Sequence, residues 1–393
     1  MRVAVVSESF LPTVNGVTTS VLRVLEHLER RGHEAVVIAP APGAPREYAG
    51  ARVVPVPALS YREFPVGLPT SIVSRTLAEF APDVLHAASP FLLGAHAIGA
   101  SWRLGIPSVA IFQTDVAGYA KRNRLAAATS FAWRVVNLVH DKADLTLAPS
   151  SSALNDLAAA GVQRLDRWGR GVDLDGYHPR LRHDPEAQAL RARLAPNGDV
   201  IVGYVGRLAP EKQVERFAAL RGVPGIRIAI VGDGPSSASV RSALKGMPVK
   251  FLGALHGRDL ALAYASFDVF AHTGCEETFG QTIQEAQASG LPVIAPRAGG
   301  PIDLIDHGRT GMLTDPDDAR SLRGAVRELA ADPALRARLG EAGRRAVLGR
   351  TWESVGEQLI GHYARVIDEA RARRSADAAA TFRLLSGSGA LLF

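Results

Sequence analysis

Short β-branched runs alternate with longer segments of helical periodicity along most of the chain, and this alternation constrains the fold most strongly. Arg2 to Val6 predicts a strand, and Gly16 to Arg31 places apolar residues at helical spacing. The apolar runs carry almost no polar alternation, so we expect strands that are buried on both faces. The sequence therefore predicts an α/β fold of doubly wound parallel sheets with crossover helices. The further strands predicted in this first series are Ala35 to Ala39, Arg52 to Val56, Val84 to His86, Ser108 to Phe112 and Leu145 to Ala148.

The strand and helix pattern restarts at Val200, which predicts a second domain of the same kind. A turn-rich segment from Gly171 to Pro179, followed by a polar stretch through Asp199, separates the two series. We expect a first Rossmann-like domain over 1–180, a second over 181–375 and a weakly ordered tail over 376–393, with a last helix that returns to the first domain as an alternative. The predicted strands of the second series are Val200 to Val205, Arg227 to Val231, Val249 to Leu252, Val269 to Phe270 and Pro292 to Ala295.

The amino-acid composition limits the classes of protein to which this chain can belong. The 393 residues are 47% hydrophobic and 21% charged, which favours packed cores over disorder. The single cysteine, Cys275, cannot form an internal disulfide, the apolar run at the N-terminus is too short for a signal peptide, and no stretch of about 18 apolar residues predicts a membrane span. We therefore expect a cytoplasmic protein. Its net charge of +6 comes without a nucleic-acid-binding motif, so we expect no nucleic-acid partner.

Two carboxylates flank a predicted strand-to-helix turn in the second domain. Glu277 lies in the loop before the helix, Gly280 permits a tight turn, and Glu285 lies on the second helical turn, on the same face as Gln281. The first N–H groups of a helix lack intrahelical partners and can bind a phosphate or sugar oxygen. The pair could hold two parts of one elongated ligand. The alternative is an acidic residue stabilised by the helix dipole and a solvated glutamate.

Two cations follow the first predicted strand of the second domain. Arg207 and Lys212 lie five positions apart in the segment that starts with Gly206. A guanidinium and an ammonium at the carboxyl end of a strand suit a diphosphate whose charge grows as it departs. The alternative for Lys212 is a solvated loop cation.

Weaker signals lie at other predicted strand ends. In the first domain, Gly16 begins a helix where backbone N–H groups could approach a phosphate, and Gln113 and Asp115 follow a buried strand. A helix-capping role is the alternative for Asp115. His272 gains weight because it directly precedes the Glu277 loop.

Two patterns are discounted. Asp173-Leu174-Asp175 is interpreted as an Asx turn rather than a metal site, and we expect no bound metal. Gly232-Asp233-Gly234 lacks the third glycine and the acidic partner of a dinucleotide fingerprint.

Together these motifs resemble retaining glycosyltransferase family 4, whose members have the GT-B fold of two Rossmann-like domains facing across a cleft. The resemblance covers nearly the whole chain. Within the family, the segment from His272 to Thr282 and the segments 288–296 and 298–301 are similar to actinobacterial GDP-mannose-dependent α-mannosyltransferases, some of which act on glycolipids. The motifs that carry the wider resemblance are Asn15-Gly16-Val17, Arg170-Gly171-Val172-Asp173, Val205-Gly206-Arg207 with Lys212, and Glu277 with Glu285.

The resemblance implies a role for each matched position. Arg207 and Lys212 would neutralise the donor diphosphate, Glu285 would bind the nucleotide ribose, and Gly16 would approach the donor phosphate. Glu277 would hold the transferred sugar together with His272 and with the backbone N–H groups of Phe279, Gly280 and Gln281. The sugar would keep its anomeric configuration, with GDP-mannose as the donor and without a required metal.

One position departs from the family pattern. Many members have a histidine where this chain has Gln113, and glutamine cannot exchange a proton near neutral pH. The site therefore needs no side-chain base, uses Asp115, or has lost activity. A different nucleotide sugar, a nucleotide-sugar epimerase of the same fold and a non-catalytic binding protein stay open as alternatives.

The acceptor is the least specified partner, and we expect a lipid-linked or small molecule. Acceptor pockets in this fold come from first-domain loops, which here include Tyr61, Tyr119, Lys121, Arg122 and Arg124. The three clustered cations could lie against an anionic membrane, at the inner face of the plasma membrane. A solvated helix start is the alternative.

Overall fold

The computed structural model describes residues 1–13, 15–40, 43–61, 64–88, 90–113 and 126–387, with backbone alone for 60, 61, 64–66, 126–132 and 381–387. The chain divides into two compact units. The first contains Met1–Ala148, Leu154–Trp168 and the segment from Gly356, and the second contains Pro149–Ala153 and Gly169–Val355.

The first unit is built on an eight-stranded sheet with the order β10-β9-β8-β7-β1-β2-β4-β3. Its strand pairs are parallel except for β3 with β4. The strands β5 and β6 form a separate antiparallel hairpin. The strands are β1 (Arg2–Ser7), β2 (Glu34–Ala39), β3 (Glu47–Tyr48), β4 (Ala51–Pro55), β5 (Ala58–Tyr61), β6 (Phe64–Gly67), β7 (Val84–Ala88), β8 (Ser108–Ile111), β9 (Leu145–Ala148) and β10 (Leu165–Arg167).

The second unit is built on a six-stranded parallel sheet with the order β13-β12-β11-β14-β15-β16. Buried apolar side chains cover both faces of this sheet, as the absence of polar alternation predicted. The strands are β11 (Val200–Val205), β12 (Ile226–Val231), β13 (Val249–Gly253), β14 (Val269–Ala271), β15 (Val293–Pro296) and β16 (Met312–Thr314).

Helices connect the parallel strands, and several of them begin with a capping side chain. The Asn15 side chain caps the first helix by accepting the N–H groups of Val17 and Thr18 at 2.9 and 3.0 Å. The helices are α1 (Gly16–Arg30), α2 (Ser71–Phe80), α3 (Leu92–Leu104), α4 (Ala126–His140), α5 (Ser151–Ala159), α6 (Pro185–Leu194), α7 (Ser237–Ala243), α8 (Gly257–Ser266), α9 (Gln281–Ala288), α10 (Pro301–Leu304), α11 (Ala319–Ala331), α12 (Pro333–Val347) and α13 (Trp352–Gly387).

The predicted α/β fold of two parallel-sheet domains is confirmed. The helix α13 extends to Gly387, through most of the segment for which the sequence predicts a weakly ordered tail. From Gly356 onward this helix belongs to the first unit, whereas Gly169 to Arg180 belongs to the second unit. The sequence analysis missed the strands that are short or lack a β-branched run, which are β3, β5, β6, β10 and β16.

The chain enters the second unit at Gly169 and leaves it after Val355, and the segments that follow the first point and precede the second lie side by side within that unit. The N–H group of Val172 donates to the Arg350 carbonyl at 2.9 Å, and Val172 bridges Thr351. A Cβ on Gly171 would lie 2.4 Å from the backbone of Trp352. Only glycine permits this close approach.

In each sheet there is one point at which the strand order reverses, so that successive strands are added first on one side of it and then on the other. In the second unit that point lies between β11 and β14, and in the first unit it lies between β1 and β7. Loops at the carboxyl ends of the strands diverge there and leave a crevice, which is where open α/β sheets bind ligands. None of the helices in the described ranges is long and apolar enough to cross a membrane.

Candidate active site

The loops that follow β11 and β14 bring Lys212 and Glu277 together at the crevice of the second unit. The Lys212 Nζ atom lies 2.5 Å from the Glu277 Oε2 atom, and both side chains are partly exposed, at 22% and 16%. The two residues are 65 positions apart in the sequence. The predicted sugar-binding carboxylate and the predicted phosphate-binding cation therefore form one charged pair.

Glu277 is ionised in this setting. Burial acts to raise the pKa of its carboxyl group, but the charge and hydrogen bond of Lys212 and the positive charge of the partly buried Arg170 outweigh burial and hold that pKa below its usual value. A charged carboxylate can accept hydrogen bonds from two sugar hydroxyls. Lys212 has three N–H donors, so it can hold Glu277 and still bind a phosphate oxygen.

His272 directly follows β14 and lies next to the Lys212–Glu277 pair. Its Nε2 atom is 3.7 Å from Glu277 Oε2, and its side chain is buried. Burial lowers the pKa of the ring to about 4, against the opposing effect of Glu277. The imidazole is therefore neutral near pH 7 and adds no further positive charge beside Lys212.

Close backbone contacts hold the two loops in place. The Thr273 hydroxyl donates to the Lys212 carbonyl at 2.7 Å. A Cβ on Gly299 would lie 2.5 Å from the Glu277 carbonyl oxygen, and one on Gly300 would lie 2.3 Å from the Phe279 carbonyl oxygen. The Gly300 N–H also donates to the Glu277 carbonyl at 2.7 Å. The Gly-Gly pair thus fixes the path of the Glu277 loop.

The start of α9 offers hydrogen-bond donors beside Glu277. Gly280 precedes the helix with a φ of 103°, a conformation that favours glycine, and Phe279 is buried. Within the described ranges, the N–H groups of Phe279, Gly280 and Gln281 have no backbone acceptor. They are available to a ligand oxygen, as the sequence predicted from the helix start.

Glu285 lies one turn into α9 and is held from the neighbouring helix α8. The Tyr264 hydroxyl donates to Glu285 Oε2 at 2.9 Å. Burial raises the pKa of the Glu285 carboxyl group to about 7, while hydrogen bonds from Tyr264 and Gln281 act in the opposite direction. Glu285 is therefore a partly buried, hydrogen-bonded carboxyl group and not the solvated helix residue of the alternative interpretation.

Arg207 differs from Lys212 in its surroundings. It follows β11 directly and its side chain is exposed. Its guanidinium group makes no ion pair with the part of the chain that the structure describes, whereas Lys212 is paired with Glu277. Both residues come from the loop after β11, and only Lys212 is held against the carboxylate.

The first unit carries the other described candidates. Gly16 begins α1, but Asn15 already occupies the N–H groups of Val17 and Thr18, which leaves the Gly16 N–H as the unused donor of the three. Gln113 follows β8 and is buried, with its Nε2 atom 3.5 Å from the Ser20 hydroxyl. Tyr61 ends β5, where the structure describes its backbone alone. The candidates outside the described residues are Asp115, Tyr119, Lys121, Arg122 and Arg124.

Two residues of the site were not identified from the sequence as functional residues. Arg170 is partly buried and interacts electrostatically with Glu277, and Tyr264 is fully buried against Glu285. The sequence did contain a signal for Arg170, because this residue begins the motif Arg170-Gly171-Val172-Asp173, which carries part of the family resemblance. No local pattern marks Tyr264, which lies 21 positions before its partner.

The discounted patterns have structural roles. The Asp173 Oδ1 atom accepts the N–H groups of Asp175 and Gly176 at 3.1 and 2.9 Å, which confirms the predicted Asx turn. A Cβ on Gly232 would lie 1.9 Å from the Gly206 carbonyl oxygen, so this glycine permits close packing of two loops. Across the described residues, no three His, Cys, Asp or Glu side chains form a group that could hold a metal ion.

Comparisons with known proteins agree with this architecture. The family profile described as Glycosyltransferase Family 4 matches residues 14–175, and the profile described as Glycosyl transferases group 1 matches residues 186–346. The crystal structure of Anabaena HepE in complex with UDP superimposes with a TM-score of 0.77 at 22% sequence identity, covering 93% of this chain and 100% of that chain.

Two curated relatives are similar over almost their entire length. A GDP-mannose-dependent alpha-mannosyltransferase of Mycolicibacterium smegmatis is 50% identical over 376 residues, which cover 93% of this chain and 98% of the relative. A protein of the same description from Mycobacterium tuberculosis is 48% identical over 389 residues, which cover 96% of this chain and 99% of the relative.

The two parallel-sheet units and their structural neighbours define a glycosyltransferase of the GT-B fold class. More narrowly, the chain belongs to glycosyltransferase family 4. The predicted family and fold are thereby confirmed.

Proposed function

We propose that this glycosyltransferase transfers α-mannose from GDP-mannose to a hydroxyl group of a lipid-linked or small-molecule acceptor, with retention of configuration. The observation that carries this proposal is the Lys212–Glu277 pair at 2.5 Å, beside the free N–H groups at the start of α9. This arrangement offers a cation for phosphate oxygens and a carboxylate for sugar hydroxyls within one site. The two mannosyltransferase relatives support GDP-mannose as the donor.

The proposed mechanism assigns charge stabilisation to the second unit. Lys212 and Arg207 bind the diphosphate, Glu277 and the N–H groups of residues 279–281 bind the sugar hydroxyls, and Glu285 binds the ribose. The bond between C1 of mannose and the β-phosphate oxygen breaks, and its electron pair leaves with GDP. The acceptor oxygen bonds to C1 on the same face, and its proton passes to a phosphate oxygen. Fixed cations that meet the growing negative charge lower the barrier to this step.

In the first unit, Gly16 supplies a backbone N–H to the donor phosphate. Gln113 and Asp115 bind hydroxyl groups near the reacting carbon, and no side-chain base is required because the phosphate takes the proton. The acceptor contacts the first unit, including Tyr61 and Tyr119.

Replacement of Glu277 or Lys212 by alanine tests the site. We expect kcat/KM for mannosyl transfer to fall by at least about 100-fold, since each substitution removes a charge-assisted interaction from the reacting centre and leaves its partner unpaired. The readout is release of GDP and formation of a mannosylated product, followed by mass spectrometry. Glu211→Gln is a matched control, because it changes a charge next to Lys212 in the same loop. Undiminished turnover in Glu277→Ala would overturn the assignment.

A panel of nucleotide sugars tests the donor. We expect release of the nucleotide from GDP-mannose in the presence of acceptor, and little release from UDP-glucose or UDP-galactose. Preferential use of a UDP-sugar would favour the alternative donor. Conversion of a nucleotide sugar without any acceptor would instead favour an epimerase.

Arg207 and Lys212 supply the positive charge that a divalent metal supplies in other transferases, so we infer that turnover requires no added metal. We expect activity to persist in excess EDTA after dialysis. Loss of activity in EDTA, with recovery on addition of Mg²⁺ or Mn²⁺, would contradict this inference.

We further propose peripheral contact of the first unit with an anionic membrane, which would present a lipid acceptor. Support comes from exposed apolar side chains in this unit. Phe91 and Leu92 are 45% and 44% exposed at the start of α3, and Leu59 is 63% exposed on the β5–β6 hairpin. A Cβ on Gly67 of that hairpin would lie 3.0 Å from Leu93, so the hairpin packs against the start of α3.

Sedimentation with vesicles of phosphatidylglycerol tests the membrane contact. We expect charge reversal at Lys121, Arg122 and Arg124 to reduce the bound fraction, because anionic lipid attracts each basic residue by about 1 kcal/mol. A triple reversal at exposed cations of the second unit is the control, at Lys245, Lys250 and Arg338. Equal binding of the two variants would contradict the proposal.

A further inference from the structure

We propose that Tyr264 is a positioning residue for donor recognition, whose hydroxyl group holds the Glu285 carboxylate in the orientation and charged form that accept the ribose hydroxyls. This inference rests on the proposed role of Glu285 in binding the ribose.

The contact between the two side chains joins neighbouring helices. Tyr264 lies near the end of α8 and Glu285 lies in α9. The Tyr264 hydroxyl oxygen is 2.9 Å from Glu285 Oε2 and 3.3 Å from the Thr282 carbonyl oxygen. A hydroxyl group has one proton, and the shorter contact is to the carboxylate, which is also the stronger acceptor.

Aromatic packing fixes the ring that carries this hydroxyl group. Tyr264 is fully buried. The Tyr177 ring meets it edge-on at a centroid distance of 5.5 Å, and the rings of Phe267 and Phe270 lie at 6.1 and 5.7 Å. Such packing leaves the ring little freedom to rotate away. The Tyr264 hydroxyl group therefore occupies one defined position, and it limits the rotation of the Glu285 carboxylate.

The contact also affects the charge of Glu285. Burial raises the pKa of its carboxyl group to about 7, and the hydrogen bonds from Tyr264 and Gln281 act to lower it. The other titratable group that faces this site is Tyr177, whose hydroxyl pKa is raised by burial and by Glu285. Burial and the charge of Glu285 also raise the pKa of Tyr264, so Tyr264 stays protonated and remains a donor.

Protonation of Glu285 would change what the site can bind. An ionised carboxylate accepts hydrogen bonds at both oxygens, so the lone pairs that Tyr264 and Gln281 leave unused are available to the two ribose hydroxyls. A protonated carboxyl group replaces one acceptor by a donor. Removal of the Tyr264 hydroxyl group therefore weakens ribose binding most strongly below the pH at which Glu285 ionises.

Calorimetric binding of GDP-mannose between pH 6 and pH 9 tests the inference. The diphosphate of this ligand is a diester with no proton to lose in this range, and the guanine base, whose N1–H begins to ionise near the upper end of the range, is the same for every variant. A difference in pH dependence between variants therefore reports on the protein. We expect the wild-type affinity to rise about tenfold from pH 6 to pH 8. We expect Tyr264→Phe to bind about tenfold more weakly at pH 7, with its rise displaced by about one pH unit to higher pH and most of the loss recovered at pH 9.

Tyr177→Phe is the matched control. It removes the same atom from the adjacent tyrosine, whose hydroxyl group makes no hydrogen bond to the described side chains. We expect its affinity and its pH profile to equal those of the wild type. A melting temperature for each variant separates a loss of fold from a loss of recognition, since a merely structural tyrosine would change the melting temperature without displacing the pH profile.

Glu285→Gln distinguishes failure of this inference from failure of the proposed ribose contact. We expect this variant to bind weakly and without the rise through pH 7. If Glu285→Gln binds weakly while Tyr264→Phe keeps the wild-type pH profile, the role of Tyr264 is overturned and the ribose contact stands. If Glu285→Gln binds GDP-mannose as tightly as the wild type at every pH, the ribose contact itself is overturned, and the role of Tyr264 with it.

Discussion

Gly299 and Gly300 set the position of the Glu277 carboxylate although neither has a side chain. Both lie against the backbone of the loop that carries Glu277, and Gly299 has a φ of 63°, which also favours glycine. The charged pair between Glu277 and Lys212 thus depends on two positions that cannot accept a Cβ without displacement of that loop.

We expect Gly300→Ala to lower kcat/KM by about 100-fold, because its Cβ would lie 2.3 Å from the Phe279 carbonyl oxygen and a shift of about 1 Å at a reacting centre costs a factor of this size. Steady-state kinetics with GDP-mannose measures the effect. Gly324→Ala is the control, since a Cβ there meets nothing within 4 Å in the helix α11. Wild-type kinetics in Gly300→Ala would contradict this prediction, because they would show that the Glu277 loop can shift without loss of activity.

The sequence identified the charged residues of the site better than the residues that hold them. Glu277, Lys212 and Glu285 stand at strand ends or helix starts, so topology alone predicts their neighbourhood. Tyr264 was not predicted, because a tyrosine in an apolar helical pattern is indistinguishable from a core residue. Its role depends on which helix α9 packs against, and local periodicity does not specify this.

At the scale of the element, α9 uses three glutamine amides as anchors. The Nε2 groups of Gln281, Gln284 and Gln287 donate to the carbonyl groups of Gly171, Arg170 and Leu304 at 3.1, 2.9 and 3.0 Å. Glutamine is usually exposed, so the sequence does not predict that Gln284 and Gln287 are buried. The same helix carries Glu285 and begins at the N–H groups of the proposed donor site, so its anchors fix the residues of that site.

We expect Gln284→Ala to lower the free energy of unfolding by about 1–3 kcal/mol, because the partly buried carbonyl group of Arg170 loses its donor. Urea denaturation followed by circular dichroism measures this loss. Gln188→Ala is the control, since Gln188 is exposed on the helix α6. Equal stability of the two variants would contradict an anchoring role for Gln284.

At the scale of the whole molecule, the sequence predicted two similar α/β domains because β-branched runs mark the central strands of both sheets. The edge elements were predicted less well. The strand β3 has two residues and β10 has three, too few for a periodic pattern to develop. The return of the last helix to the first domain stayed an alternative at the sequence level, because the assignment of α13 depends on distant contacts such as the hydrogen bond between Tyr363 and His86 at 2.6 Å.

Acid should destabilise the first unit through its buried histidines. Burial lowers the pKa of His86 to about 3 and that of His140 to about 4, so the folded chain keeps both rings neutral while the unfolded chain protonates them below about pH 6.5. The contribution of these histidines to the free energy of unfolding is therefore fully present above pH 6.5. It decreases as the pH falls toward their folded-state pKa values, by about 1.4 kcal/mol per histidine and pH unit.

Urea unfolding at pH 7 and pH 5.5 measures this decline. We expect the His140→Gln variant to lose less stability between the two pH values than the wild type, because one titrating group is absent. A pH dependence equal to that of the wild type would show that His140 does not contribute to the linkage.

The side-by-side segments around Val172 and Arg350 have a practical consequence for protein engineering. Because the main chain of Val172 is hydrogen-bonded to that of Arg350, the stretch from Val172 to Arg350 begins and ends at neighbouring residues. A segment with adjacent ends can be inserted into a surface loop of a host protein without stretching that loop. The two attachment points of such a segment would therefore lie at neighbouring residues, Val172 and Arg350.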